Sequence, residues 1–336
     1  MACYQTSCAM AKSGQQTKTG KAFEYACANV LLHKYQSSTT VTLVESPQMK
    51  TARSAFELLS ASEQKKYLQG AEAAIRIVDR LEPNLSNERA ALAISLQPDA
   101  AGIKGDVRDV LCLHGTEWQI GFSCKHNHEA VKHSRLSDTI DFGKEWFNKP
   151  CSREYFDTVK AIFAPLRKLR DESSRTAQWS AIEDKETQCY VPVLNAFMTE
   201  LQRLNTEYPG EIPKLLIKYL IGVNDFYKVI MNDTRQYTTI EAININGSLN
   251  QKSNNKRALL DVPLMKLPSK FYEIGFKDNS KNTINVICDQ GWNVSMRIHN
   301  ASSKIEPSLK FDVQLLAMPS SIVTQMEPWT ALEFEY

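Results

Sequence analysis

Asp106-Val-Arg-Asp-Val-Leu-Cys-Leu-His-Gly-Thr-Glu-Trp-Gln-Ile-Gly-Phe-Ser-Cys-Lys125 is the stretch whose reading decides the fold. Two apolar-rich runs, Asp106 to Leu113 and Trp118 to Lys125, flank His114-Gly-Thr-Glu117, the pattern of a β-hairpin. Centring the turn between Gly115 and Thr116 places Asp106 opposite Lys125 and Arg108 opposite Ser123. Cross-strand partners point to the same side of a sheet, so an acid and a lysine meet at the open end of the hairpin. Asp109 has the other alternation and is expected on the opposite face, which favours Asp106 as the acid of the pair. The plainer explanation of such a pair is an exposed ion pair at a solvated sheet edge.

Upstream, Phe23, Ala26, Val30 and Leu31 recur at helical spacing and predict an amphipathic helix beginning near Gly20. Val41 to Val44 suits a short strand. A long helical stretch follows from Arg53 to Leu81, with a break expected near Ser60 to Ser62 and a stop before Pro83. Downstream, Val131 to Leu136 reads as helical. The chain is then helix-rich from Ser152 to Asn232, punctuated by Pro165, Pro192, Pro209 and Pro213. Beyond Tyr237 short strands are predicted at Tyr237 to Ile245, Phe271 to Phe276, Thr283 to Cys288, Trp292 to Ile298 and Leu309 to Leu316.

The 336 residues allow a core plus one further module, and 43% hydrophobic with 23% charged residues is ordinary for a globular protein. A formal net charge of +2 does not announce a nucleic-acid binder, so any such field must come from clustered Lys and Arg. No apolar run approaches the roughly 20 residues that span a bilayer, and the first residues lack the apolar block of a signal peptide. A cytoplasmic location and no membrane partner are expected. The 8 cysteines are scattered without a CxxC pair, which reads as reduced, mostly buried thiols. Cys124, His126 and His128 alternate closely, but no second ligand pair stands at zinc spacing, and structural zinc is not expected.

Gly105-Asp106 followed by Ser123-Cys-Lys125 resembles the bipartite motif of the PD-(D/E)XK nucleases. In that family an acid starts one strand and an acid-x-lysine ends its antiparallel neighbour. Gly20-Lys-Ala-Phe-Glu24 is similar to their N-terminal helix, which often contributes a metal-binding glutamate. Phe122-Ser-Cys-Lys-His-Asn-His-Glu-Ala-Val-Lys-His-Ser-Arg-Leu-Ser137 resembles a block of the HaeIII-type restriction endonucleases. Trp292 to Ile298, His299-Asn-Ala-Ser-Ser303 and Ser308-Leu-Lys-Phe-Asp312 resemble a second block, and the likeness runs from about Gly20 to Pro319. It implies an α/β class, with a nuclease-like mixed sheet flanked by helices, a helical segment and a β-rich C-terminal segment. The expected division is a nuclease core with a helical insertion over 1–235 and a DNA-recognition segment over 236–336.

The resemblance also implies a type II enzyme that cuts double-stranded DNA at a short palindrome with Mg2+, GGCC being the first candidate. A structure-specific repair nuclease of the same fold, or a DNA-binding protein whose centre has lapsed, are the other readings. A palindromic site suggests a two-fold dimer. Phosphodiester hydrolysis needs a carboxylate-held metal to polarise the phosphate and activate water. A lysine can steady the growing charge. Asp106 and Lys125 are the expected pair. Ser123 stands where the family has an acid, and serine is a poor Mg2+ ligand beside a carboxylate. Glu24 is the first candidate to compensate and Glu129 the second, although Glu24 is as readily a solvated helix residue.

For DNA contact, His128, Lys132 and Arg135 fall on one helical face beside the motif and suit phosphates. His126 and His128 suit ordering the site or moving a proton. On the predicted strand after Trp292, Val294, Met296 and Ile298 form a core face. Asn293, Ser295, Arg297 and His299 form a polar row, in which Arg297 suits a guanine edge. The polar loop Asn250 to Arg257, with Lys256 and Arg257, is a further candidate clamp.

Overall fold

The structure, a computed structural model, describes residues 3–87, 90–98, 100–103, 105–126, 134–253 and 256–336. Its helices are α1 (Cys3–Tyr35), α2 (Pro47–Glu57), α3 (Ala61–Leu81), α4 (Ala100–Ile103), α5 (Phe142–Phe147), α6 (Arg153–Glu172), α7 (Val191–Glu207) and α8 (Ile212–Ile221). The strands are β1 (Val41–Leu43), β2 (Leu92–Leu96), β3 (Val110–His114), β4 (Trp118–His126), β5 (Arg135–Leu136) and β6 (Phe226–Asn232). They continue as β7 (Tyr237–Ile243), β8 (Phe271–Phe276), β9 (Thr283–Cys288), β10 (Asn293–His299), β11 (Leu309–Ala317) and β12 (Val323–Pro328). The class is mixed α/β, as the sequence led us to expect. Among the described residues no helix is long and apolar enough to cross a membrane.

The chain forms two compact units, each discontinuous. One comprises Met1–Glu129, Asn224–Met265 and Ser321–Tyr336, the other Ala130–Val223 and Lys266–Ser320. A cut at residue 236 is therefore not how the chain partitions, because β7 and β12 belong with the hairpin and not with β8 to β11. The first unit holds a sheet of order β1-β2-β3-β4-β6-β7-β12. It is mixed: β1 and β2, and β4 and β6, run parallel, and the other neighbours antiparallel. Helices α1 and α3 bury Phe23, Ala26, Val30, Leu31, Ile77 and Val78 in its core.

Local chemistry accounts for the helix ends. Ser46 caps α2 ahead of Pro47 by accepting from the Met49 amide at 3.0 Å. Ser60 and Glu63 form a capping box that starts α3, so the helical stretch divides where the break was expected. Helix α3 stops ahead of Pro83, where a missing amide hydrogen would break it. The helix-rich reading to Asn232 fails at its end, since Phe226–Asn232 is the strand β6 lying against β4. Gly222, at φ 99°, closes α8 and is the local signal for that change. Pro165 sits inside α6, not between helices.

The second unit contains a five-stranded antiparallel sheet of order β5-β11-β10-β9-β8. Val294, Met296 and Ile298 are fully buried on β10, which is the expected core face. Phe142, Trp146, Phe197 and Phe311 join into one aromatic cluster, where Trp146 stacks on Tyr219 with ring centroids 4.6 Å apart.

Glu82, at the end of α3, is fully buried in the first unit. Its Oε1 accepts from the Tyr227 hydroxyl at 2.6 Å and the Asn250 amide at 2.7 Å, while Oε2 has no hydrogen-bond partner among the described residues. Burial raises the acid from its ordinary value to about 7, against the lowering effect of the Asn250 and Tyr227 hydrogen bonds. Unfolded, the same acid titrates near about 4.3. Folding therefore takes up a proton between these values, and this residue's contribution to stability falls as pH rises from about 4.3 towards 7 and beyond. The full swing is about 4 kcal/mol at roughly 1.4 kcal/mol per tenfold change in proton affinity. Glu82→Gln, which keeps an acceptor for both donors, should flatten that slope. Melting curves at pH 5 and pH 8 check this: the variant gains on wild type at pH 8 but not at pH 5. An equal difference at both values would contradict it.

Candidate active site

The hairpin register differs from the expected one by one residue. Val110 pairs with Phe122 and His114 with Trp118, leaving a three-residue turn, Gly115-Thr116-Glu117, with Gly115 at φ 59°. A two-residue turn at Gly115-Thr116 would have set the other register, and a slip of one residue exchanges the two faces of a strand. Asp109 thus lies across from Ser123, and its amide donates to the Phe122 carbonyl at 2.7 Å. Its Oδ2 accepts from the Cys124 amide at 2.7 Å and from the Ser123 hydroxyl at 3.4 Å. The Lys125 ammonium stands 3.6 Å from the same oxygen.

Asp106 does not face Lys125. Its carboxylate takes a fork from Arg108, with Nε at 2.8 Å and Nη2 at 2.7 Å. Burial pulls the Asp106 acid upward, but the Arg108 and Gln97 hydrogen bonds outweigh it and hold it below the usual carboxylate range. Arg108 is only 7% exposed and lies over Gly121, where an added Cβ would come within 2.2 Å of its Cδ. The Asp106 carboxylate is thus paired with a buried guanidinium, whose packing accounts for the glycine on β4.

Helix α1 supplies Glu24, which is buried at 6% exposure. The helix docks on β4 where Cys27, one turn beyond Glu24, brings its Sγ to 3.9 Å from the Cys124 Sγ. Lys21 donates to Glu24 Oε2 at 3.1 Å. Burial first, and then the negative charge of Asp109, push the Glu24 acid up to about 7, against the pull of Lys21 and Lys125. Glu24, Asp109, Ser123 and Lys125 thus form one electrostatic group.

Two carboxylates and a hydroxyl are hard oxygen donors of the kind Mg2+ takes. Burial, and then the Asp109 charge, disfavour an ionised Glu24, a cost that a divalent cation held by these oxygens would offset, so the donor chemistry suits such an ion. Among the described residues there is no group of three His, Cys, Asp or Glu side chains that could hold a metal. Ser123, 2% exposed, stands where a third acid would be expected.

His126 closes the strand with Nε2 3.4 Å from Asp233 and its ring 5.4 Å from that of Tyr67. That position suits ordering the site. His128, Glu129 and Lys132 lie outside the described residues. Arg135 belongs to strand β5, paired with Lys310, and not to a helix. Its Nη1 reaches Glu306 at 2.6 Å and Ser308 at 2.9 Å. Arg297 is exposed on β10, with Nη2 3.0 Å from Asp312. His299 Nδ1 lies 3.0 Å from the Asn300 carbonyl. Lys256 and Arg257 are exposed, and the backbone of Lys256 is tied to Ser253. Sequence reasoning missed Lys21, Asp233 and Asp312. It set Asp109 aside for a turn one residue too short.

Comparisons with known proteins identify the family of the chain. The family model described as HaeIII restriction endonuclease matches residues 20–319. The type II restriction enzyme HaeIII of Haemophilus aegyptius is 36% identical over 318 residues, 94% of this chain and 99% of that protein. No solved structure matches. Fold and match together define a restriction endonuclease. The chain belongs to the HaeIII restriction endonuclease family.

Proposed function

We propose that the chain is a type II restriction endonuclease that hydrolyses double-stranded DNA at a short palindrome with Mg2+, and that Asp109, in place of Asp106, is its principal catalytic acid. The observation that carries the proposal is Asp109 Oδ2 lying 3.6 Å from the Lys125 ammonium, with buried Glu24 feeling both charges. Glu24 and Asp109, with the Ser123 hydroxyl, would hold the ion. Bound there, Mg2+ supplies charge to polarise the phosphate and acidify water. Lys125, partly buried at 30% side-chain exposure, would offset charge growing on the phosphate oxygens where water screens it less than in bulk. Lys21 holds Glu24 in its rotamer. The Cys124 amide and the Ser123 hydroxyl hold Asp109.

His126 orders this end of β4, and Arg135, Lys256 and Arg257 are proposed as phosphate contacts. Arg297 and His299 are proposed to face base edges. GGCC, the first candidate site, rests on the family likeness. Digestion of a plasmid of known sequence with Mg2+ tests the reading: a discrete set of fragments with common ends supports it, and intact plasmid would overturn it. Binding without any nicking would select the lapsed-nuclease reading, which Ser123 keeps in view.

Glu24→Gln is expected to raise the Mg2+ concentration needed for half-maximal cleavage by about tenfold or more, since a neutral amide is a weaker Mg2+ donor than a carboxylate. Protons compete for the wild-type carboxylate below about pH 7, so its metal requirement should climb as pH falls, and Glu24→Gln should lose that dependence. A Mg2+ titration of cleavage rate at pH 6 and pH 8 checks both. Parallel curves for wild type and variant would remove Glu24 from the centre.

A further inference from the structure

Three neighbouring strands of the second sheet present an unusual polar surface. On β10, Arg297 is paired laterally with Thr283 of β9 and Asp312 of β11, and Ser295 with Asn285 and Gln314. Lateral partners share a face. A groove of about 240 Å³ on that face is lined by Lys277, Thr283, Ser295, Arg297, Asp312 and Gln314. The reverse face is core, with Ile284, Val286, Met296, Ile298, Phe311 and Val313 fully buried. The polar side chains therefore stand on a braced platform, not on loops. These are the inner strands of the five-stranded sheet, so it is the side chains standing on them, Arg297 the longest, that would reach base edges in the major groove.

Asp312 is the informative member. A carboxylate is repelled by phosphates, so on a DNA-contacting face it has to meet something that donates. In the major groove only the amino groups of cytosine and adenine donate, whereas guanine offers acceptors alone. Arg297, with Nη2 3.0 Å from Asp312 Oδ2, is the reverse: a donor-only fork suited to the guanine acceptors. Donor and acceptor side by side match one G·C pair, where the guanine oxygen and the cytosine amino group are adjacent. An A·T pair offers an adenine donor, but its partner presents a methyl group beside a single acceptor.

We propose that Arg297 and Asp312 together read a G·C pair, the guanidinium on the guanine acceptors and the carboxylate on the cytosine amino group. The inference rests on the reading of the chain as a duplex-DNA nuclease. It adds Asp312 as a specificity-determining residue and gives the salt bridge a role in recognition. The ion pair orients the fork before DNA arrives and offsets the repulsion between the carboxylate and the duplex.

The test replaces each cytosine of the mapped site in turn by 2-pyrimidinone, which is cytosine without its amino group, and measures cleavage by wild type and Asp312→Ala. At one position wild type should lose roughly 10- to 100-fold in rate. Asp312→Ala, which leaves no acceptor, should show that loss on the natural duplex and no further loss with the analogue. Asp312→Ser serves as a second variant, with melting curves to confirm that each folds. Wild type indifferent to the analogue at every cytosine, both proteins losing alike, or a mapped site without a G·C pair would each overturn the inference. A wild type that makes no defined cut would instead remove the nuclease reading on which it rests.

Discussion

Asp109→Asn should lower the single-turnover cleavage rate by roughly 1,000-fold and leave the melting temperature close to that of wild type. The amide oxygen can still accept from the Cys124 amide, so the hairpin keeps its shape while the site loses a negative charge. Asp106→Asn should do the reverse. It weakens the fork on Arg108, which is buried, and charged hydrogen bonds of that kind contribute about 2 kcal/mol. A lower melting temperature with a rate within about tenfold of wild type is the expected result, since Asp106 acts through stability. If the rate loss fell on Asp106→Asn and spared Asp109→Asn, the roles of the two acids would be reversed.

Lys125→Ala carries the second large effect, a fall of roughly 100- to 1,000-fold in rate, the magnitude usual for removing one preorganised donor to a developing oxyanion. Its distinguishing feature is the metal dependence. Lys125 lowers the negative potential around Glu24 and Asp109, so its removal leaves two carboxylates with less neutralising charge. The Mg2+ requirement should therefore stay level or fall while the maximal rate collapses, the opposite split from Glu24→Gln. A rate restored by high Mg2+ would mean that Lys125 only helps to organise the metal site.

These two predictions turn on a detail that the sequence did not disclose. Alternating apolar residues announce β3 and β4, but register depends on whether the turn has two residues or three, and Gly115 suits either. One residue exchanges Asp106 for Asp109. Signals that act locally were readable: the period of Phe23, Ala26, Val30 and Leu31, the stop at Pro83, and the alternation of Val294, Met296 and Ile298. Non-local pairing was not. β6 is a short apolar run whose period does not separate strand from helix. β12 returns from the end of the chain to an edge beside β7, and its half-exposed alternation is a faint signal. The burial of Glu24 is likewise a property of packing, since its neighbours in sequence say nothing of Asp109.

The centre itself can be located without relying on DNA cleavage. Fe2+ substituted for Mg2+, with ascorbate and peroxide, breaks the polypeptide wherever the ion is held, and mass spectrometry maps the breaks. The expected result is breaks clustered near Glu24, Asp109 and Ser123 to Lys125, suppressed by excess Mg2+ and absent in Asp109→Asn. Breaks elsewhere in the chain, or a pattern unchanged in Asp109→Asn, would contradict the assignment of Glu24, Asp109 and Lys125 as the cutting centre.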